Sequence, residues 1–233
     1  MPHQTEARQV GTNRVAAHPI VIDIVSDIVC PWCFIGKRRL ERALAERPDV
    51  RPTLRWCAFQ LNPELPAEGV PRGPYMAAKF GGADHAERLQ RSIEEAGRRE
   101  DIRFDFGRID RIPNSLDAHR LIRWAGYAAR QDVAIDALFR AYFEDGRDIG
   151  QPTVLIDIAT EIGFARTAAE AWLTGDADRL ALKADDRAAR QRGITGVPCY
   201  IVAGKYAISG AQEPEFFLPL LDLVTQGRVP TDE

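Results

Sequence analysis

Residues 20–44 read IVIDIVSDIVCPWCFIGKRRLERAL, and the order of features along them decides the fold. The run 20–25 is β-branched and apolar, the mark of a short buried strand. Cys30 and Cys33 follow within a few residues. Residues 34–46 then carry a helical period, with Cys33, Leu40, Ala43 and Leu44 on one face and Arg and Glu on the other. Charges of both signs interleave on that second face, which predicts a solvated surface. Pro48 and Pro52 bracket a turn, and 53–59 is a second strand. The stretch is a β-α-β unit of a length that suits a right-handed crossover.

Beyond it the chain changes character. Residues 62–74 are rich in Pro and Gly and read as a linker. Residues 75–174 are helical in period, with successive stripes at Leu89, Ile93 and Ala96, at Ala118, Leu121, Ile122 and Ala125, at Ile135, Leu138, Phe139 and Tyr142, and at Val154, Leu155, Ile158, Ala159 and Ile162. Asn114 or Ser115 is placed to cap the second of these helices. Residues 176–192 predict a helix with Ala177, Leu180, Ala184 and Ala188 inward, ended by Gly193. A hairpin follows, with strands at 199–202 and 206–208. Pro214 opens a last helix, with Phe217, Leu220, Leu221 and Val224 inward. Removing the helical stretch leaves βαβαββα, the thioredoxin arrangement. The expected organisation is therefore a flexible tail (1–18), a first part of a thioredoxin domain (19–62), an all-helical insertion domain (63–174), the second part of the thioredoxin domain (175–228) and a short tail (229–233).

The chemistry sits in the cysteines. Disulfide exchange needs a thiolate near neutral pH, whereas a free Cys has a pKa of about 8.5. Cys30 falls at the N-cap of the first helix, with Pro31 at the first helical position. Unpaired N–H groups and the helix dipole there favour an anion. Cys33 lies one turn further, on the core side, and is expected to be less exposed. That asymmetry makes Cys30 the attacking thiol and Cys33 the resolving one. Zinc would need four ligands, and no His lies near Cys57 or Cys199 in sequence, so no metal site is expected. In Thr195-Gly196-Val197-Pro198, a proline at a strand entry reads either as a cis Val197–Pro198 bond or as a trans proline at the strand's first residue. A CxxC in this fold order favours cis, with the Val197 backbone free to pair with an extended substrate. Trp32, between the cysteines, is expected to be partly exposed, and reads as a substrate contact or as a residue that tunes the redox couple.

The segments SDIVCPWCFIGKRRL (26–40), FQLNPELP (59–66), NSLDAHRLI (114–122) and GITGVPCYIV (193–202) together resemble the DsbA-like thioredoxin superfamily, and within it the FrnE-type subfamily. The resemblance implies a thioredoxin fold with a helical insert, a cis Pro198 facing the CxxC, and thiol–disulfide exchange by Cys30 and Cys33. Family members usually carry an aromatic after the cis proline, where this chain has Cys199.

Three further residues are accessory candidates. Asp27 is a carboxylate that could relay protons to Cys33 if buried, as could Asp23 upstream, with a surface or cap role as the alternative. His119 reads either as a cleft residue or as an ordinary core or surface histidine. Cys199 reads as a third redox thiol or as a small core residue. Cys57 and Cys199 are expected on strands flanking the first strand, about 9–10 Å apart, too far for a disulfide. Trp56, Trp124 and Trp172 read as core.

The 233 residues are 45% apolar and 28% charged with a net charge of −3, an ordinary globular balance without the basic footprint of a nucleic-acid binder. No stretch reaches the length of a membrane span, and residues 1–18 lack the apolar core of a secretory signal, so the expected compartment is the cytoplasm. The expected activity is exchange with thiol- or disulfide-bearing proteins, peptides or glutathione, needing no cofactor beyond the Cys30–Cys33 pair. Two alternatives come from other classes: a glutathione-dependent isomerase or transferase linked to polyketide-type metabolism, and a redox-sensing or chaperone-like binder.

Overall fold

The computed structural model describes residues 20–225. The tails expected at 1–18 and 229–233, and the inward side chain expected at Val224, lie outside the described residues. The chain opens with β1 (Val21–Ser26), α1 (Pro31–Ala45) and β2 (Thr53–Ala58). After the helical stretch come α8 (Arg179–Gln191), β5 (Cys199–Val202), β6 (Tyr206–Ser209), a 3-10 turn (Pro214–Phe216) and α9 (Leu218–Thr225). These elements form one sheet in the order β2-β1-β5-β6, with β1 parallel to β2 and the other pairs antiparallel.

The period of two along β1 sorts its side chains between two layers. Ile22 and Ile24 pack with Leu40 and Ala43 of α1, Tyr200 of β5, and Phe217 and Leu221 of the C-terminal segment. Val25 points the other way and packs with Phe59, Cys199 and Ala189 of α8. Helices therefore cover both faces, and β1 is buried nearly throughout.

The intervening stretch supplies β3 (Val70–Pro71), α2 (Arg72–Phe80), α3 (Ala83–Arg98), a 3-10 turn (Phe106–Arg108), β4 (Arg111–Ile112), α4 (Leu116–Tyr127), α5 (Gln131–Phe143), α6 (Pro152–Glu161) and α7 (Arg166–Thr174). The segment expected as a plain linker is more ordered than its Pro and Gly suggest. Val70–Pro71 pairs antiparallel with Arg111–Ile112, a partner some 40 residues away that local composition cannot reveal. Leu89, Ile93 and Ala96 are only half-buried on α3, whose buried positions are Ala86 and Gly97. Trp56, Trp124 and Trp172 are likewise half-buried.

Two faces differ from expectation for the same reason. The polar side of α1 is not solvated at Lys37 and Arg39, which are 3% and 6% exposed. The helical stretch closes over this side and answers it with carboxylates. Lys37 pairs with Glu41 and lies 2.9 Å from Asp136 of α5, while Arg39 and Arg42 both reach Glu100, at 2.9 and 2.8 Å. On α8 the inward residues are Leu182, Asp186 and Ala189, and Leu180 is 82% exposed. The helix turns a carboxylate inward because Asp186 accepts the Gln60 N–H at 2.9 Å and pairs with Arg190. A pattern read from apolar residues alone misses such a satisfied buried charge.

The largest core cluster joins the two parts. Phe34 and Ile35 of α1 enter it beside Cys30 and Cys33, among Leu121, Leu138, Phe139 and Phe143 of the helices. Phe34 stacks on Phe139 with ring centroids 4.9 Å apart. The first turn of α1 is thus held against the helical stretch.

Candidate active site

The end of β1 and the start of α1 build the site. After Ser26 the chain turns through Asp27, whose carbonyl accepts the Cys30 N–H at 3.0 Å. Cys30 is the N-cap residue in extended conformation (φ −95°, ψ 114°) and Pro31 opens the helix. The Cys33 N–H donates to the Cys30 carbonyl at 3.0 Å. Pro31 has no N–H to lose and its fixed φ suits the first helical position, so the local sequence dictates this turn. The result sets Cys30 at the N-terminus of α1, where its side chain makes no hydrogen bond to the helix N–H groups.

Opposite it, the Val197–Pro198 peptide bond is cis. The Val197 carbonyl lies 3.6 Å from Cys30 Sγ and accepts from the thiol. That carbonyl is therefore engaged rather than free in the dithiol form. All four cysteines are free thiols. Cys30 is 5% exposed, Cys33 1% and Trp32 38%, so Trp32 is the open side of the mouth. Burial pushes the Cys33 thiol well above its ordinary value, and the neighbouring Cys30 adds to this. Ser26 and the Asp27 backbone act in the opposite sense and lower it.

The accessory candidates separate. Asp27 is fully buried. Its Oδ2 accepts the Leu61 N–H at 2.6 Å, and its Oδ1 lies 3.3 Å from His119 Nε2. His119, 4% exposed on α4, is thereby brought beside the CxxC loop. Asp23 is instead in an ion pair with Arg55, Oδ1 to Nε at 2.6 Å. Cys199 points to the α8 face, with Val25 and Ala189, on the other side of the sheet from α1. Val25 is in register with both Cys57 and Cys199, which sets those residues two strand spacings apart. Burial raises both thiols, Cys57 to about 11 with the charges of Asp23 and Asp185 adding.

Three residues escaped the sequence reading. Ser26 is buried at the end of β1 and acts to lower the Cys33 thiol. Tyr200 is fully buried, its hydroxyl without a hydrogen-bond partner among the described residues. That hydroxyl rests on Gly36, one turn after Cys33. The glycine inside a helical pattern was the available signal, since it marks a close approach. Behind the site, a cavity of about 550 Å³ opens between the sheet, α4 and α8, with Ser26, His119, Asp23 and Arg55 among its walls. No group of three or more His, Cys, Asp or Glu side chains that could hold a metal ion occurs among the described residues, and no helix there is long and apolar enough to cross a membrane.

An α/β fold with helices on both faces of its sheet, a CxxC opening its first helix, a cis proline facing it and a helical stretch between the two parts of the sheet defines the DsbA-like class of thioredoxin folds. Residues 21–222 match the model of the DSBA-like thioredoxin domain, and the chain belongs to that family. It is similar to a "probable DsbA oxidoreductase" of Streptomyces coelicolor, with 30% identity, a TM-score of 0.84, and 92% of this chain and 93% of that one covered. The Bacillus subtilis protein YwbO is 28% identical over 204 residues, 84% of this chain and 92% of YwbO. Likeness in fold extends to the cytosolic disulfide reductase DsbM of Pseudomonas aeruginosa, with a TM-score of 0.62 and 17% identity over 90% of this chain and all of that one. It extends also to 2-hydroxychromene-2-carboxylate isomerase, with a TM-score of 0.64 and 16% identity over 90% of this chain and 95% of that one.

Proposed function

We propose that this protein is a thiol–disulfide oxidoreductase in which Cys30 attacks and Cys33 resolves. The observation that carries the reading is the asymmetry of the pair. Cys30 occupies the helix N-cap beside the cis Val197–Pro198 bond, whereas Cys33 is sealed one turn below with its thiol pushed up by burial. The Cys30 sulfur attacks one sulfur of a client disulfide and expels the other as a thiolate. The Cys33 sulfur then attacks Cys30, forms the Cys30–Cys33 bond and releases the second client thiolate. The same steps run backwards from the disulfide form toward a dithiol client, and the potential of the pair against glutathione sets the direction.

Pro31, Trp32, Val197 and Pro198 form the substrate contact surface in this reading. Cys30 is so nearly closed off that its clients are extended peptide segments or thiols of glutathione size, and not the surfaces of folded proteins. The domain division at 63–174, the FrnE-type affinity and a cytoplasmic location belong to the same proposal. They are supported by the four sequence segments and by the likeness to a cytosolic reductase. The rival glutathione-dependent isomerase has no use for a second thiol, and both are present here.

Reduction of insulin disulfides by the dithiol form tests the proposal. Activity in the wild-type protein and its loss in Cys30→Ser are expected. Full activity in Cys30→Ser would remove Cys30 from its role.

A further inference from the structure

The cis-proline loop has to keep its register with Cys30, and a chain of contacts outside the site bears on it. Pro198 and Ala211 both rest on α1, where a Cβ built at Gly36 would stand 3.0 Å from Pro198 Cγ and 3.4 Å from Ala211 Cβ. The backbone joins the two, because the Gly210 N–H donates to the Pro198 carbonyl at 2.8 Å. The turn that follows is braced within itself. The Gln212 N–H donates to the Gly210 carbonyl at 2.9 Å, and Gln212 Nε2 donates to the Ser209 carbonyl at 2.8 Å. A displacement of this turn is therefore passed on to the proline.

Arg39, one turn along α1 from Gly36 and 6% exposed, holds the turn in place. Its Nη1 donates to the Ala211 carbonyl at 2.6 Å, its Nη2 lies 2.6 Å from Glu213 Oε1, and its Nε donates to Glu100 Oε1 at 2.9 Å. Three acceptors from two distant parts of the chain converge on one planar guanidinium, whose fixed fork of donors can serve them together. Arg42 differs. Its Nη1 reaches the other oxygen of Glu100 at 2.8 Å, and among the described residues it makes no hydrogen bond to the 209–213 segment.

We infer that Arg39 is a positioning residue for client binding, which locks the 209–213 turn to the CxxC helix and so fixes the cis Val197–Pro198 edge beside Cys30. This deepens the assignment of Cys30 and of Val197 and Pro198 as client contacts, and rests on it. The Val197 carbonyl lies 3.6 Å from Cys30 Sγ, so a shift of the loop by about an ångström changes the slot between them by a large share of its width. Arg39 acts on that slot through Ala211, Gly210 and Pro198, and takes no part in the exchange of bonds.

Kinetics with two disulfides of different shape test the clamp. A synthetic extended peptide with one internal disulfide, turned over with dithiothreitol as the recycling thiol, uses the Val197–Pro198 edge. Dithiobis(nitrobenzoate), small and without a peptide backbone, needs only Cys30. Arg39→Met keeps an unbranched stem and leaves Glu100 paired with Arg42. It is expected to raise KM for the peptide about tenfold, inside the roughly hundredfold that an ångström of misplacement can cost, with kcat and the first thionitrobenzoate release within about twofold of wild type. Arg42→Met loosens Glu100 without touching the turn, so its KM should stay at the wild-type value. An unchanged KM in Arg39→Met, an equal loss with both disulfides, or a KM raised as far in Arg42→Met overturns the clamp. Should Arg39→Met not fold, Glu213→Gln decides, since it weakens one arm at a half-exposed position. A KM raised about threefold there, the worth of one hydrogen bond, supports the clamp and an unchanged KM overturns it. Absence of peptide reduction by the wild-type protein, or full activity in Cys30→Ser, would instead remove the reading of the site itself.

Discussion

Gly36→Ala is the substitution whose outcome the structure specifies most sharply. A methyl built at Gly36 overlaps the Tyr200 hydroxyl oxygen and stands 3.0 Å from Pro198 Cγ and 3.4 Å from Ala211 Cβ. Tyr200 is fully buried between α1 and Phe217, so neither ring nor helix has room to give. Overpacking of this kind costs roughly 1–3 kcal/mol. Against it stands a gain of about 1 kcal/mol for replacing a helical Gly by Ala. The net loss in the wild-type background is about 0–2 kcal/mol. In Tyr200→Phe the overlapping atom is gone, so the helix gain is left opposed only by the Pro198 contact, and Gly36→Ala should be neutral or mildly stabilising. The coupling between the two sites is therefore about 2 kcal/mol. Tyr200→Phe alone should hold or raise stability by up to about 1 kcal/mol, because the hydroxyl it removes is buried without a partner. Urea unfolding of the four proteins at constant m measures the cycle. An equal cost of Gly36→Ala in both backgrounds would refute the packing argument, and so would a stabilised Gly36→Ala on its own. Because the methyl also presses on Pro198, the same substitution should slow insulin reduction, and Tyr200→Phe, which leaves that contact in place, should not restore the rate.

Three other outcomes follow from particular groups. Arg120, fully buried on α4, donates to the carbonyls of Trp172, Leu173, Gly175 and Ala177 at 2.5–3.3 Å and pairs with Asp117. Arg120→Leu strands these acceptors at the end of α7 and should cost about 3–5 kcal/mol, a fall in Tm of roughly 6–20 °C by calorimetry; a Tm within a degree or two of wild type would contradict the clamp. Native alkylation at pH 8 followed by mass spectrometry should label Cys30 first and leave Cys57 unlabelled, since a thiol held at about 11 is ionised about one part in a thousand there; labelling of Cys57 at the rate of Cys30 would be the contrary result. Burial raises the Asp136 carboxyl, but Lys37 and Arg38 outweigh it and hold it below its ordinary value. Its stabilising share is present above the unfolded carboxylate range and lost as pH falls through the lower folded value. Asp136→Asn should therefore lose roughly 1–2 kcal/mol at neutral pH and show a weaker loss of stability below about pH 4 in acid titrations followed by circular dichroism.

What the chain declares by itself is local. The β-branched run of β1, the N-cap and proline that open α1, the Gly193 stop and the β5–β6 hairpin each depend on interactions within a turn or between adjacent strands. Those energies are written in neighbouring residues, so the thioredoxin order and the place of Cys30 at a helix start are legible without coordinates. The faces of the polar helices are not. Lys37, Arg39 and Asp186 turn inward only because Asp136, Glu100 and the Gln60 N–H come from distant parts of the chain to meet them. The same holds for the site. Pairing of Asp27 with His119 joins residues 92 positions apart, and strand register alone sends Cys199 to the face away from Cys30. A buried charge is costly without its partners, and partners gathered across the fold are the part of the protein that tertiary structure decides.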